Sequence, residues 1–436
     1  MITRTLTCSL ALLLIGGTAA AQAHTYVVTN RTDPKPGSCT AADCTMREAV
    51  IAANKHRGAD TIVLPSRKRY VLTLKSTGED KAANGDLDVT SGRLKVVHPG
   101  RGTATIDAKK TDRVFDIAAS TTLDRLTIRG GYSNKTDADG DGGGIVVSRG
   151  SLTVVDSNVV HNKAPWTGGN GGGIDSDTSG LVRVIDSEVS HNDSGGSGGG
   201  IEASTDGKLL VQRSTVASNK AAQAGGVMTF GPTVKIVDST ISGNLAAAGP
   251  GVEGDGGGVF VGAGGRVELA NSTVASNGAY TSGGGIFSDA RSNAAISFST
   301  IVRNRADADN ANGGTTGGVH LRTQGVQIAA RARISNSVLA LNTETGGVTT
   351  DCGGIGFLGT GVNLISTTNQ GKCSESTPIV ATNPRLGPLA HNGGPTATVA
   401  LLSGSPAIGA AVGKAPKFDQ RGVTRKDPDL GAYERR

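Results

Sequence analysis

Apolar and polar residues alternate along this chain in short runs such as Ser214-Thr-Val-Ala-Ser-Asn219, and the same runs return many times. Alternation with period two is the signature of a β-strand with one face buried. Two half-repeats recur. One ends in Gly-Gly and an aliphatic residue: Ile145, Ile174, Ile201, Val227, Val259, Ile286 and Val319. The other opens at Ser157, Ser187, Ser214, Ser239, Ser272, Ser299 and Ser337, with Val, Ile or Leu two residues on. Three residues further stands Asn162, Asn192, Asn219, Asn244, Asn277, Asn304 or Asn342.

From the aliphatic residue to the serine the distance is 12 or 13 residues in six repeats and 18 in the seventh. From each asparagine to the next aliphatic residue it varies between 8 and 15. One side of the repeat is thus nearly fixed and the other carries loops. A mean period of roughly 29 residues fits one coil of three short strands. The pattern predicts an all-β, right-handed parallel β-helix with stacked Val and Ile inside. The asparagines read as corner residues with left-handed backbone angles whose amides hydrogen-bond along the axis.

Weaker runs continue the scheme upstream, at 61–64, 70–74, 94–97, 105–107, 114–117 and 123–128. Cys44–Asn54 instead places Met46, Val50 and Ala53 on one helical face. A short helix there would cap the open end of the solenoid, and the Pro- and Gly-rich last 60 residues would form an irregular cap at the other. The expected layout is a signal peptide over 1–23, an N-terminal cap over 24–60, the β-helix over 61–373 and a C-terminal cap over 374–436.

Composition agrees with a narrow coil. Glycine contributes 66 of 436 residues and aromatic residues 3%, whereas a wide globular core would need more rings. Arg4 followed by the apolar run Leu10–Ile15 and by Ala21-Gln22-Ala23 reads as a secretory signal cleaved near Ala23. The mature chain has no segment suited to a membrane helix and is expected to be a secreted or envelope monomer. After the signal, which takes Cys8 with it, four cysteines remain. Their spacing favours Cys39–Cys44 and Cys352–Cys373 among three possible pairings. The net charge of +6 is spread along the sequence, which argues against nucleic acid as a partner.

Cys44-Thr-Met-Arg-Glu-Ala-Val with Ala52-Ala53-Asn54 resembles the N-terminal CSLREA-type motif of bacterial β-helix proteins, with Thr45-Met46 where Ser-Leu would stand. Asp60–Pro65, Gly85-Asp-Leu-Asp88 and Arg113-Val-Phe-Asp116 continue that pattern. Asn392–Pro395, Ser405–Ile408, Asp419-Gln-Arg-Gly422 and Asp429–Glu434 resemble the choice-of-anchor Q domain, and the middle repeats are similar to those of polymorphic outer-membrane proteins. The resemblance implies a pectin-lyase-like β-helix at or beyond the cell envelope. It implies no established reaction.

If the aliphatic residue of each Gly-Gly strand points inward, the next one faces solvent: Val146, Asp175, Glu202, Met228, Phe260, Phe287 and His320. Two residues later a parallel outward column holds Asp177, Phe230, Asp289 and Arg322, among others. The face passes from acidic (Asp175, Asp177, Glu202) to aromatic (Phe230, Phe260, Phe287) and ends in His320 and Arg322. Rings for sugar faces and carboxylates for hydroxyls suit a polysaccharide laid along the axis. Asp175 and Glu202 on adjacent coils would lie about 5 Å apart, as in retaining glycosidases, and Asp175 and Asp177 about 7 Å, near the inverting range. The plain alternative is a solvated sheet face.

Asp137-Ala-Asp139-Gly-Asp141-Gly142 offers oxygens at alternate positions, as the start of a calcium loop does, but Ser148 stands where the closing carboxylate should be. It is either a loose calcium site or an acidic insertion. A lyase would need a basic group beside the metal, and the spacing singles out none of Arg149, Arg183 and Arg213. The residues therefore favour a non-catalytic exported β-helix with a carbohydrate- or cell-surface-binding face. A polysaccharide lyase or glycosidase using the acidic patch, and a purely structural envelope protein, are the alternatives.

Overall fold

The computed structural model describes residues 22–436 apart from 77, 134–139, 178, 204–206, 232, 250–252, 312, 323–329, 355, 367–378 and 381. Among these, parallel strands stack into three long sheets. A twelve-stranded sheet, here the long sheet, runs from Thr25–Val27 to Phe357–Thr360. A ten-stranded Gly-Gly sheet runs from Leu87–Val89 to Cys352–Gly353. A twelve-stranded Ser–Asn sheet runs from Arg69–Val71 to Ile379–Val380. The first strand of the long sheet thus lies inside the segment expected to be only a cap.

Register follows the repeats, for example Val159 with Val189, Val189 with Val216, and Val216 with Ile241. Identical aliphatic positions stack into one continuous buried core, each full burial stabilising by roughly 1.5–3 kcal/mol. The glycines permit that stacking. A Cβ on Gly173 would lie 2.6 Å from the Gly200 carbonyl oxygen of the next coil and 2.8 Å from Asn192 Nδ2.

The asparagine column forms a buried ladder. Asn162 Nδ2 donates to Asn192 Oδ1 at 3.0 Å, Asn192 to Asn219 at 3.0 Å, and so on to Asn342. Each Nδ2 also donates to a backbone carbonyl of the preceding coil, such as Val159 O at 2.9 Å. The asparagines are not the left-handed residues. That backbone belongs to the residue before each one, His161 (φ 56°), His191 (φ 55°) and Ser218 (φ 55°) among them. The preceding residue turns the corner so that the amide can point inward. The serine column works alike: Ser157 N donates to Ser187 Oγ at 3.1 Å, and Ser187 Oγ to Ile185 O at 2.6 Å.

The helix Met46–Lys55 forms as expected and buries Met46, Ala49, Val50 and Ala53 against the first coils. Thr45 and Glu48 close a capping box at its start. Cys39 and Cys44 form the expected disulfide. Arg47 is fully buried, paired with Asp33 at 2.8 and 3.1 Å and donating to the carbonyls of Ala82, Gly85 and Asp86. Cys352 is disulfide-bonded, and Cys373 lies outside the described residues.

The C-terminal segment starts on the end of the solenoid, where Ile379–Val380 is the last strand of the Ser–Asn sheet, and then turns back along it. It straps the outer face of the Ser–Asn sheet. Thr240 Oγ1 donates to Ala397 O at 2.6 Å, Thr273 Oγ1 to Gln420 Oε1 at 2.7 Å, and Ala432 N to Thr300 Oγ1 at 3.0 Å. Val302, Val338, Ala340 and Leu364 of the sheet form a second apolar cluster with Val399, Leu401, Ala407 and Leu430 of the strap. Outward positions that are Asn158, Glu188 and Thr215 in earlier coils become Thr240, Thr273, Thr300, Val338 and Leu364 under it. Asp419 fastens the strap internally, accepting from Arg421, Val423 and Glu434 backbone N–H groups at 2.8–2.9 Å. No helix among the described residues is long and apolar enough to cross a membrane.

Candidate functional site

The Gly-Gly strands align their central residues in one column: Asp88, Asp116, Val146, Asp175, then Glu202, Met228, Phe260, Phe287 and His320. These side chains point away from the core, as the alternation requires, but from Val146 to Phe287 they are buried, and only Asp116 and His320 are partly exposed. Asp175 is 1% exposed, Glu202 7%, Phe260 3% and Phe287 1%. The cause is a left-handed residue four positions before each one: Gly142, Gly171, Gly198, Ala224, Gly256, Gly283 and Thr316. That backbone turns the preceding loop across the outward side chain. A Cβ on Gly171 would come within 2.4 Å of Asp175 Cβ.

The aromatic half is therefore a packed ladder and not an open platform. Phe260 stacks on Phe287 at 5.0 Å and Phe287 on His320 at 5.2 Å, with interplanar angles of 10° and 12°. Arg322 lies 5.0 Å over the Phe287 ring and pairs with Glu253 at 2.5 Å and Asp255 at 3.3 Å. Phe260 and Phe287 are thus packed away from a sugar, half-buried His320 ends the stack, and Arg322 is held by the Phe287 ring and two carboxylates. Phe230 stands apart in the second column, 38% exposed and lying over Gly262.

The acidic half is different. Asp141, Asp175 and Asp177 bring carboxylate oxygens within 4.8 Å of one another. The structure joins the end of the expected calcium loop to two of the expected catalytic acids. Asp137 and Asp139 lie outside the described residues. Asp141 Oδ1 accepts from Asn170 N at 2.5 Å, Asn170 Oδ1 from Ser197 N at 3.1 Å, and Glu202 Oε2 from Ser197 Oγ at 2.9 Å. Among the described residues no N–H or hydroxyl donates to the buried Asp175 Oδ2, and the neighbour within hydrogen-bond reach of the Asp175 carboxyl is the Asp177 carboxyl.

Burial, and then the Glu202 carboxylate, push Asp175 well above the usual carboxylate range, with Asp177 and Asp141 adding to the rise. Burial pushes Glu202 up to about 7, partly offset by the Ser197 hydroxyl. Such a group of acids is satisfied in two ways, by taking up protons or by holding a hard cation among its oxygens. Oxygens this close let the Asp175 and Asp177 carboxylates share one proton or one cation. Asp175 and Glu202, beneath the loops, are out of reach of a sugar.

A second acidic group, Asp86, Asp88 and Asp116, meets the same 4.8 Å limit two coils upstream. Burial raises Asp88 to about 7 and Asp86 well above its usual range. This group has internal partners: Arg113 lies 3.5 Å from Asp86, and Ala82 N donates to Asp88 at 2.5 Å. In the sequence these residues stand out only within the motifs Gly85–Asp88 and Arg113–Asp116, not as a site, because their strands lack the Gly-Gly pair. The signal was the shared triplet, Leu87-Asp-Val89 and Phe115-Asp-Ile117, set beside Ile174-Asp-Ser176.

Comparison with known proteins supports the architecture. A solved structure of a pectate lyase, Pel9A, superposes with a TM-score of 0.56 over 96% of this chain and 98% of that chain at 15% identity, a likeness of fold. No curated protein matches the sequence. The family described as "Right handed beta helix region" matches residues 116–301 and 172–370. Together these matches span more than half of the chain, so the protein belongs to the right-handed β-helix family.

Proposed function

We propose that the protein is an exported, non-catalytic β-helix of the CSLREA and choice-of-anchor Q type that binds a glycan through a calcium site on its Gly-Gly face. The carrying observation is Asp175, a fully buried carboxylate whose Oδ2 no described N–H or hydroxyl donates to, set against Asp141 and Asp177. Three carboxylates suit a hard cation, which takes six to eight oxygens in a flexible geometry. Asp177, exposed at the edge, leaves room for glycan oxygens to complete the set. The fold shared with a pectate lyase supports a polysaccharide as the ligand class. Binding is favoured over cleavage because Asp175 and Glu202 have no access to a glycosidic oxygen. The placement among CSLREA and choice-of-anchor Q proteins is supported by the structural work of both terminal motifs, Arg47 at one end and Asp419 at the other.

Calcium titration of the purified full chain tests this reading. Calcium should raise the thermal midpoint of the wild type and leave that of Asp175→Asn unmoved, and glycan binding should need the ion. A wild type indifferent to calcium would remove the cation site. New unsaturated or reducing ends on incubated polysaccharide would overturn the non-catalytic assignment.

A further inference from the structure

Part of the positive charge that looks scattered in the sequence, eight of its 43 basic residues, lines one face. Residues of the long sheet alternate, with Leu94, Val96, Val182, Val184, Leu209 and Val211 in the core. Between them Arg93, Lys95, Arg183, Lys208, Lys235, Arg266, Arg331 and Arg333 point outward, all exposed except the half-buried Arg183. The acids on the same strands are Asp124 and Glu268. Asp124 pairs with Lys95 at 2.8 Å, and Glu268 with Lys235 and Arg266 at 3.0 Å. Arg93, Arg183, Lys208, Arg331 and Arg333 have no carboxylate partner among the described residues. They lie on strands in register from Arg93–Val97 to Arg331–Ser335, eight steps along the axis, or roughly 38 Å at about 4.8 Å per step.

We propose that this face binds a linear polyanionic glycan lying along the solenoid axis, at a site separate from the acidic cluster. The charge complementarity is direct: a row of cations one to three coils apart faces a chain of regularly spaced anions. Near its N-terminal end the face carries a groove of about 400 Å³ with Arg93, Lys95 and Arg183 beside the hydroxyls of Ser120, Thr122 and Thr153; the one acid in its lining, Asp60, is buried and held by His56 at 2.8 Å. Guanidinium groups take carboxylate or sulfate oxygens in pairs, and the hydroxyls exchange hydrogen bonds with sugar hydroxyls. A nucleic acid offers the same charge, but binding of single strands draws on aromatic platforms for the bases. Among the described residues, the strands from Arg93–Val97 to Arg331–Ser335 contain no aromatic residue, and this favours the glycan.

The test uses the full chain in EDTA, which silences any calcium site, with heparin, polygalacturonate, neutral dextran and poly(dT) as probes. Heparin or polygalacturonate should bind, dextran should not, and affinity should fall at least about tenfold between about 50 and about 200 mM salt. Arg183→Glu, Lys208→Glu and Arg333→Glu combined should weaken binding by about tenfold or more at an unchanged thermal midpoint, as expected for several lost phosphate-like contacts. Asp175→Asn should bind like the wild type in EDTA, which separates this site from the calcium reading. Wild-type affinity in the triple variant, failure of both acidic glycans to bind, or tighter binding of poly(dT) than of either would overturn the proposal.

Discussion

Asn342 donates both its backbone N–H, at 3.2 Å, and its side-chain Nδ2, at 2.9 Å, to the same oxygen of Asp351, Oδ1. Asp351 thus stands where an eighth asparagine would continue the ladder. Its other oxygen accepts from Ser366 N at 2.8 Å, where an amide group would have faced one donor with another. The ladder ends in a residue that only accepts.

Burial raises Asp351 to about 6 despite these hydrogen bonds. Its folded-state value lies above that of the unfolded chain, so it contributes stability at pH below about 4 that is lost as pH rises through about 6. A displacement of this size corresponds to about 3 kcal/mol. Denaturation of wild type and Asp351→Asn at matched pH isolates the group. The wild type should improve relative to the variant by up to about that amount between pH 8 and pH 4, and parallel curves would contradict this.

Inside the ladder, Asn219→Ala should be severe. It strips the acceptor from Asn192 N and Nδ2 and the donor from Val189 O, all buried. Orphaned groups of this kind cost about 1–3 kcal/mol each, so a loss of at least about 3 kcal/mol is expected in chemical denaturation.

The two kinds of ring on the Gly-Gly face should respond differently. Phe287→Ala opens a cavity between Phe260 and His320 and should cost about 3–5 kcal/mol. Phe230→Ala, on the exposed column, should cost under about 1 kcal/mol. Equal effects on the unfolding midpoint would show that the stacked ladder is not a packing element.

Val146 separates the two acidic groups, with Asp116 on one side and Asp175 on the other. Val146→Asp would place an unpaired carboxylate among buried acids and should destabilise the chelated protein by roughly 3 kcal/mol or more. If the face binds calcium, adding the ion should restore most of that stability. Destabilisation that calcium leaves untouched would count against the cation reading.

The coil was legible in the sequence because its causes are local. Period-two alternation, Gly-Gly pairs and the spacing from serine to asparagine each state what one coil needs, and stacking repeats the statement seven times. The helix at Met46 and the Cys39–Cys44 bond were equally readable, since cap, face and spacing lie within a few residues. The column of Asp175, Glu202, Phe260 and Phe287 was found, but its solvent was not. Whether a loop folds across an outward side chain depends on a left-handed residue four positions earlier; in five of seven coils that residue is a glycine, whose type allows the turn without saying what the loop comes to cover, and in two it is Ala224 or Thr316.

What only tertiary structure decided are the relationships between distant segments. Asp141 joins Asp175 because a loop from the preceding coil reaches across, and Gln420 meets Thr273 because the chain end doubles back by 147 residues. The basic face arises the same way, since one coil converts roughly 29 residues of sequence into about 4.8 Å of axis. The sequence by itself determined the strands, their inward faces and the ladder. The fold decided which outward faces stay open, because that depends on what the variable loops and the strap come to rest upon.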